Sequence, residues 1–344
     1  MFDDASIQGV ADQYVTDGAS GRLVLTAAFP LRAEPEVSRF VSFDLDDHRS
    51  EPAPFVHPFV EGVLRRDRGF RSDQIEAPYV KPKDRVDPAR GLRRIPGEAL
   101  QGSRLTPVQR MALHVEELIQ EQIDDIELRE EIMAIEILRT GQLTISGEGF
   151  PTQLIDFERA SSLTRTKEGN ARWGEEEADP IADLEAGATL IQDASGANAS
   201  LAIMDPKAWA LARVDSKVEK LLDTRRGSSS ELETGPLSGT NMGRYVGSLG
   251  TIDLWVYQEV YPTASGTAKL LPDHTVLQVA PGERGFYGRR KYAAIRDEEG
   301  EYLPRFYFPK TWTQKDPAGR YVMTQSAPIP VPLRINASSS LTVR

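Results

Sequence analysis

Thr106-Pro-Val-Gln-Arg-Met-Ala-Leu-His-Val-Glu-Glu-Leu-Ile-Gln-Glu-Gln-Ile-Asp-Asp-Ile-Glu-Leu-Arg-Glu-Glu-Ile-Met-Ala-Ile-Glu-Ile-Leu-Arg-Thr140-Gly141 is the stretch that decides the architecture. Thr106 is an N-cap, Pro107 takes the first helical position, and Gln109 completes a capping box. Arg139 falls in the last turn and Gly141 just past it, as a helix end requires. Between these signals Val108, Met111, Val115, Leu118, Ile119, Ile123, Ile126, Ile132, Met133, Ile135, Ile137 and Leu138 recur mostly at helical spacing. The pattern predicts one unbroken helix over 106–140, a rod of about 50 Å at ~1.5 Å per residue. Its polar side reads as acidic, with Glu116, Glu117, Glu121, Asp124, Asp125, Glu127, Glu130, Glu131 and Glu136 against Arg129. Such a run is ordinarily a solvated face.

The segment before the rod changes that reading. Over 56–100, Pro or Gly recurs at Pro58, Gly62, Gly69, Pro78, Pro82, Pro88, Gly91, Pro96 and Gly97. The bases Arg65, Arg66, Arg68, Arg71, Lys81, Lys83, Arg85, Arg90, Arg93 and Arg94 lie among them. Against the acids Asp67, Asp73, Glu76, Asp84 and Asp87 they leave the stretch 65–94 at +5, within a chain of net charge −11. So long a segment with little apolar mass forms no core of its own. It reads as an extended arm or protruding β-hairpin that docks on something else. A basic arm beside an acidic rod suggests that the arm of one subunit lies on the rod of the next.

Outward from these two elements, the first ~20 residues read as a polar arm. Residues 21–30 suit a short strand or a helical turn, and Phe40–Leu45 alternates like a strand. Residues 141–157 read as a hairpin, and 159–180 as loop. Asp179-Pro180 and Asp205-Pro206 each open a helix, the first to about Gln192 and the second through Leu222. Strands are expected at 201–204, 251–257, 275–279, 305–308, 321–325 and 329–333. The fold class is α+β.

Composition narrows the function. The chain has 344 residues, 40% of them hydrophobic, enough for a sizeable core. It has no Cys, so disulfides, thiolate zinc sites and Cys nucleophiles are excluded. The four His are scattered. A net acidic chain is a poor wrapper of nucleic acid. No stretch approaches a membrane span, and the N-terminus lacks a secretory pattern. No catalytic constellation stands up. Gly243–Gly250 is glycine-rich but lacks the Lys-Ser/Thr of a P-loop, Ser228-Ser-Ser230 has no nucleophile context, and the paired acids sit in charge runs. His114 reads as a packing residue and the four Trp as anchors. The chain is expected to be no enzyme and to need no cofactor or metal. Its product is then an assembly.

Several longer strings are specific. Ala77-Pro-Tyr-Val-Lys-Pro-Lys-Asp-Arg-Val-Asp-Pro88 with Leu92-Arg-Arg-Ile-Pro96, Met204-Asp-Pro-Lys-Ala-Trp-Ala-Leu211, Leu222-Asp-Thr-Arg-Arg-Gly-Ser-Ser-Ser-Glu-Leu-Glu-Thr234, Phe308-Pro-Lys-Thr-Trp312 and Gln325-Ser-Ala-Pro328 occur in order. Together they resemble the lambda-type major capsid protein E family of tailed phages, from about residue 55 to 335. The resemblance implies the Johnson fold of phage shells. Residues 1–55 would be the N-terminal arm and lead-in, 56–100 the extended β-hairpin loop, and 101–177 a peripheral domain with its spine helix at 106–140. Residues 178–300 would form the axial domain, and 301–344 would return to the peripheral domain. It implies hexamers and pentamers in an icosahedral virion shell, assembled in the bacterial host cytoplasm. The partners would be a separate scaffold, a portal, a decoration protein, and packaged double-stranded DNA held without sequence-specific binding. The related alternative is an encapsulin-like compartment shell. On either reading, Arg65, Arg66, Arg68, Lys81, Lys83, Arg85, Arg93 and Arg94 are expected to face Glu116, Glu117, Asp124 and Glu127 of a neighbour.

Overall fold

The computed structural model describes residues 4–17, 21–45, 55, 59, 71–92, 105–147, 150–219, 243–263, 266–280, 287–297, 300–316 and 319–344. The N-terminal part gives helices α1 (Asp4–Asp17) and α2 (Leu23–Ala28) and strands β1 (Leu31–Arg32) and β2 (Phe40–Leu45). Strands β3 (Arg71–Glu76) and β4 (Lys83–Val86) follow, then the rod α3 (Pro107–Thr140). The middle holds β5 (Gln142–Gly147), β6 (Phe150–Asp156), β7 (Thr164–Thr166), α4 (Pro180–Ser195), β8 (Leu201–Met204) and α5 (Pro206–Ala212). Next come β9 (Gly243–Leu249), β10 (Ile252–Tyr257), β11 (Val260–Thr263), β12 (Gly266–Lys269), β13 (Thr275–Val279) and β14 (Gly288–Tyr292). The last six strands are β15 (Ile295–Arg296), β16 (Tyr302–Leu303), β17 (Phe308–Gln314), β18 (Gly319–Gln325), β19 (Pro328–Pro332) and β20 (Ser338–Thr342).

The long helix begins and ends where its signals say. The Thr106 hydroxyl accepts from the Gln109 N–H, and the Gln109 side chain accepts from the Thr106 N–H. Gly141 closes the helix at φ 75°, the left-handed conformation that favours glycine. Asp179 and Asp205 likewise cap α4 and α5.

A six-stranded sheet in the order β7-β20-β13-β8-β10-β9 organises the larger part. Its central strands are buried on both faces and sort by period two. Ile203, Trp255 and Leu277 point to a core shared with α2, the C-terminal half of α3 and α4. Ala202, Met204, Leu254 and Val276 point to a second core, closed by Trp173, Trp209 and Leu341. A third core lies beside the N-terminal half of α3, where Val115, Ile119, Ile123 and Ile126 meet Ile7, Ala11, Val86 and Val322. The three-stranded sheet β17-β18-β4 packs here through Gln122, whose amide donates to Asp84 and to the Val322 carbonyl. A further small sheet, β1-β14-β19, joins the N-terminal segment to the C-terminal strands. The rod therefore runs from one core into another.

Some expectations change. The first ~20 residues contain α1, not an open arm, because Ile7 and Ala11 lie one turn apart and are both buried on α3. Among the described residues of the basic segment, β3 pairs with β2 and β4 with β18; residues 60–70 and 93–100 of the segment lie outside the described residues. The helix from Asp205 stops at Ala212. Asp215 then caps a new turn, accepting from the Lys217 and Val218 N–H groups. Within 301–344, β18 packs on α3 and β17 on α1, while β20 enters the six-stranded sheet between β7 and β13 and also touches the end of α3, where the Ser340 hydroxyl donates to the Arg139 carbonyl.

Candidate inter-subunit surface and the charged interior

Of the eight basic residues expected to meet a neighbour, Arg65, Arg66, Arg68, Arg93 and Arg94 lie outside the described residues. The other three sit on or next to β4, at the edge of its sheet. The Lys83 ammonium lies 4.9 Å above the Trp312 ring and 4.4 Å above the Tyr321 ring, which stack on each other. Lys81 lies 4.9 Å above Tyr79. Arg85 crosses Gly319 so closely that a Cβ there would come within 2.8 Å of its Nε. The three bases are exposed, and each is aligned by its own chain.

The four acids divide. Glu116 and Glu117 are exposed on the rod, with His114 Nδ1 3.7 Å from Glu117. Asp124 is exposed and accepts from the Tyr14 hydroxyl at 2.7 Å. Glu127 is 2% exposed and is no surface acid. Arg32 holds its carboxylate, and the Arg290 guanidinium lies 3.7 Å away. Glu127 is thus removed from the set that can face a neighbour. The expectation failed because the strands that cover Glu127 come from residues 31–32 and 288–292, far away in sequence.

Two more acids of the presumed polar face are interior. Glu130 and Glu131 are fully buried. Tyr292 donates to Glu130 at 3.2 Å, and Arg290 lies 3.6 Å from it. Glu131 accepts the N–H groups of Val24 and Leu25 at 2.9 and 2.8 Å. Burial is the main cause that pushes both carboxyls up, to about 7. Arg22, Arg32, Tyr257, Glu259, Arg290 and Tyr292 thus gather around the helix, and none is singled out by a sequence motif. A local signal existed. Ile126, Ile132, Met133, Ala134 and Ile135 flank these acids and leave only a narrow polar strip, marked by Arg129, Glu136 and Arg139, that cannot hold every charge of the run.

Among the described residues, no group of three or more His, Cys, Asp or Glu is placed to hold a metal ion. A groove of about 800 Å³ runs between α4 and the β9–β10 turn. Glu185 is the one ionisable group among its lining residues, so no acid–base pair is assembled there. No helix is long and apolar enough to cross a membrane among the described residues.

The profile of the family described as Phage major capsid protein E matches residues 22–343. The chain belongs to that family. The major capsid protein of Escherichia phage lambda is 33% identical over 284 residues, covering 80% of this chain and 81% of the relative. The P21 prophage-derived major head protein of Escherichia coli O6:H1 strain CFT073 is 30% identical over 300 residues, covering 85% of each. In three dimensions a prophage capsid protein of E. coli CFT073 matches with a TM-score of 0.72 at 24% identity, over 96% of this chain and 97% of that one. A phage-related protein of Bordetella bronchiseptica RB50 matches at 0.54 and 13% identity, over 98% and 95%. The fold is that of phage capsid proteins. Capsid proteins assemble into oligomeric shells, and this one is a structural subunit of a virion shell.

Proposed function

We propose that this capsid protein forms hexamers and pentamers that close into an icosahedral head around packaged double-stranded DNA. Assembly takes place in the bacterial host cytoplasm, with a separate scaffold, a portal and a decoration protein as partners. The carrying observation is the match of one capsid family over residues 22–343, nearly the whole chain. Residues 1–55 act as N-terminal arm and lead-in and 56–100 as the extended loop. Residues 101–177 form the peripheral domain and 178–300 the axial domain, with 301–344 returning to the peripheral domain. The chain works as a building block, with no catalytic step and no cofactor.

The contact between copies joins the basic loop to the acidic rod. Arg65, Arg66, Arg68, Lys81, Lys83, Arg85, Arg93 and Arg94 of one copy face Glu116, Glu117 and Asp124 of the next. Each exposed pair contributes ~0–1 kcal/mol. Repeated around every capsomer, such pairs fix register while leaving early contacts reversible. The test is electron microscopy of the protein expressed with its scaffold, beside a variant carrying Arg65→Glu, Arg66→Glu and Arg68→Glu. Closed shells from the parent and folded, unassembled subunits from the variant are expected. Normal shells from the variant would remove the loop from the interface, and no shells from the parent would remove the assembly reading.

A further inference from the structure

Beside the long helix, the hydrogens do not add up if every carboxyl is ionised. The Tyr257 hydroxyl lies 3.0 Å from Glu131 Oε1 and 2.6 Å from Glu259 Oε2. A phenol has one hydrogen and can give it to one of these oxygens. The other oxygen–oxygen contact then needs a hydrogen from a carboxyl. The Arg22 guanidinium lies 2.5 Å from Glu259 Oε1 and holds that group as the carboxylate. Glu131 is fully enclosed, and its hydrogen-bond partners are two backbone amides and the phenol, all neutral. The extra hydrogen therefore belongs on Glu131.

We propose that Glu131 carries a proton while residues 22–32 are seated on α3, donating it to Tyr257 as Tyr257 donates to Glu259, and that loss of this proton loosens the segment. The coupling follows from position. Glu131 is the acceptor for the first amides of α2, so it is one of the points at which the segment is tied to the rod, beside the Arg32–Glu127 pair and the Arg22 bond to the Asp124 carbonyl. The surrounding charges come from every packed element. Arg22 precedes α2, Arg32 lies on β1, Glu127 sits one turn back on α3 and Glu130 immediately before, Glu259 follows β10, and Arg290 and Tyr292 lie on β14. Burial raises Glu131 to about 7 from 4.5, and Glu130 moves the same way.

The sign is fixed by that direction. A released Glu131 ionises in the ordinary carboxylate range, whereas the seated one keeps its proton to about pH 7. Between those limits, seating weakens by up to about tenfold per pH unit as pH rises, and it levels off above them. The proposal does not depend on how copies assemble.

Hydrogen exchange of the full-length subunit tests it, read by mass spectrometry on residues 22–32 and corrected for the intrinsic pH dependence of exchange. Protection is expected to fall at least about tenfold between about pH 5.5 and about pH 7.5. Glu131→Gln, a neutral mimic, is expected to stay protected at the upper pH and to reduce the fall by at least about tenfold. A flat parent profile, an unchanged fall in Glu131→Gln, or loss of protection in that variant at every pH would overturn the proposal. Tyr257→Phe gives an independent sign. Losing the acceptor of the Glu131 proton moves the midpoint to lower pH, whereas a move to higher pH means Tyr257 donates to Glu131 and refutes the assignment.

Discussion

Glu127 shows how one side chain can be legible in type and illegible in place. Its spacing along the rod puts it among acids that do reach solvent, and only Arg32 and Arg290, brought in by β1 and β14, turn it inward. Glu127→Ala should leave the Arg32 guanidinium without its carboxylate and Arg290 with Glu130 alone, and destabilise the subunit by about 3–5 kcal/mol, measured by urea unfolding. The same substitution at Glu116 should change stability by less than about 0.5 kcal/mol. Gly288 is a steric counterpart. A Cβ there would lie 2.4 Å from the Phe29 ring and 2.6 Å from the Val331 carbonyl oxygen. Neither ring nor backbone can yield cheaply, so Gly288→Ala should cost about 1–3 kcal/mol by the same assay. No sequence pattern marks Gly288 out from the other glycines of the chain, because its constraint comes from strands β14 and β19 meeting.

Among elements, those with chemical punctuation were readable and those defined by tertiary cover were not. The rod carries a cap, a proline and a closing glycine, and the structure uses all three. Thr106→Ala should cost about 1 kcal/mol, because the first turn is exposed and water replaces part of the lost bond. Gly141→Ala should cost more, since the residue has φ 75° and a Cβ would stand 2.6 Å from the Arg159 Cβ. Helix α1 was hidden by its acidic ends, although Ile7, Val10, Ala11 and Tyr14 keep the spacing of one helical face. Its cover is confined to the third core, so Ile7→Asp should free residues 4–17 to protease while the six-stranded sheet stays intact. Limited proteolysis followed by mass spectrometry reads both. Strand β18 was legible at 321–325, but β17 runs over Phe308–Gln314 where 305–308 was expected, and β4 carries no strand signal of its own; its place beside β18 is set by a pairing between residues 83–86 and 320–323, far apart in the chain.

At the scale of the molecule, the charge division between loop and rod was visible in composition and gave the assembly reading before any geometry. What composition missed is that three of the rod's nine acids face inward, which leaves the outward acidity concentrated toward the helix N-terminus. If loop–rod pairs carry the contact between copies, association should weaken as salt rises from about 0.1 M to about 1 M, where the screening length shortens from about 10 Å to about 3 Å. Light scattering across that range would show it, and association that strengthens with salt would point to an apolar interface instead. One feature of the large sheet also bears on timing. Strand β20 lies between β7 and β13, with residues 164–166 on one side and 275–279 on the other. A ribosome making about 5–20 residues per second needs on the order of ten seconds or more to pass from the first of these strands to the last. Until residue 342 has emerged, β7 and β13 have an empty lane between them and β7 cannot join the sheet. A nascent or prematurely stopped chain is therefore kept from its final shape, so that only finished copies are competent to enter a lattice in which one defective unit would be repeated in no other place and mended by none.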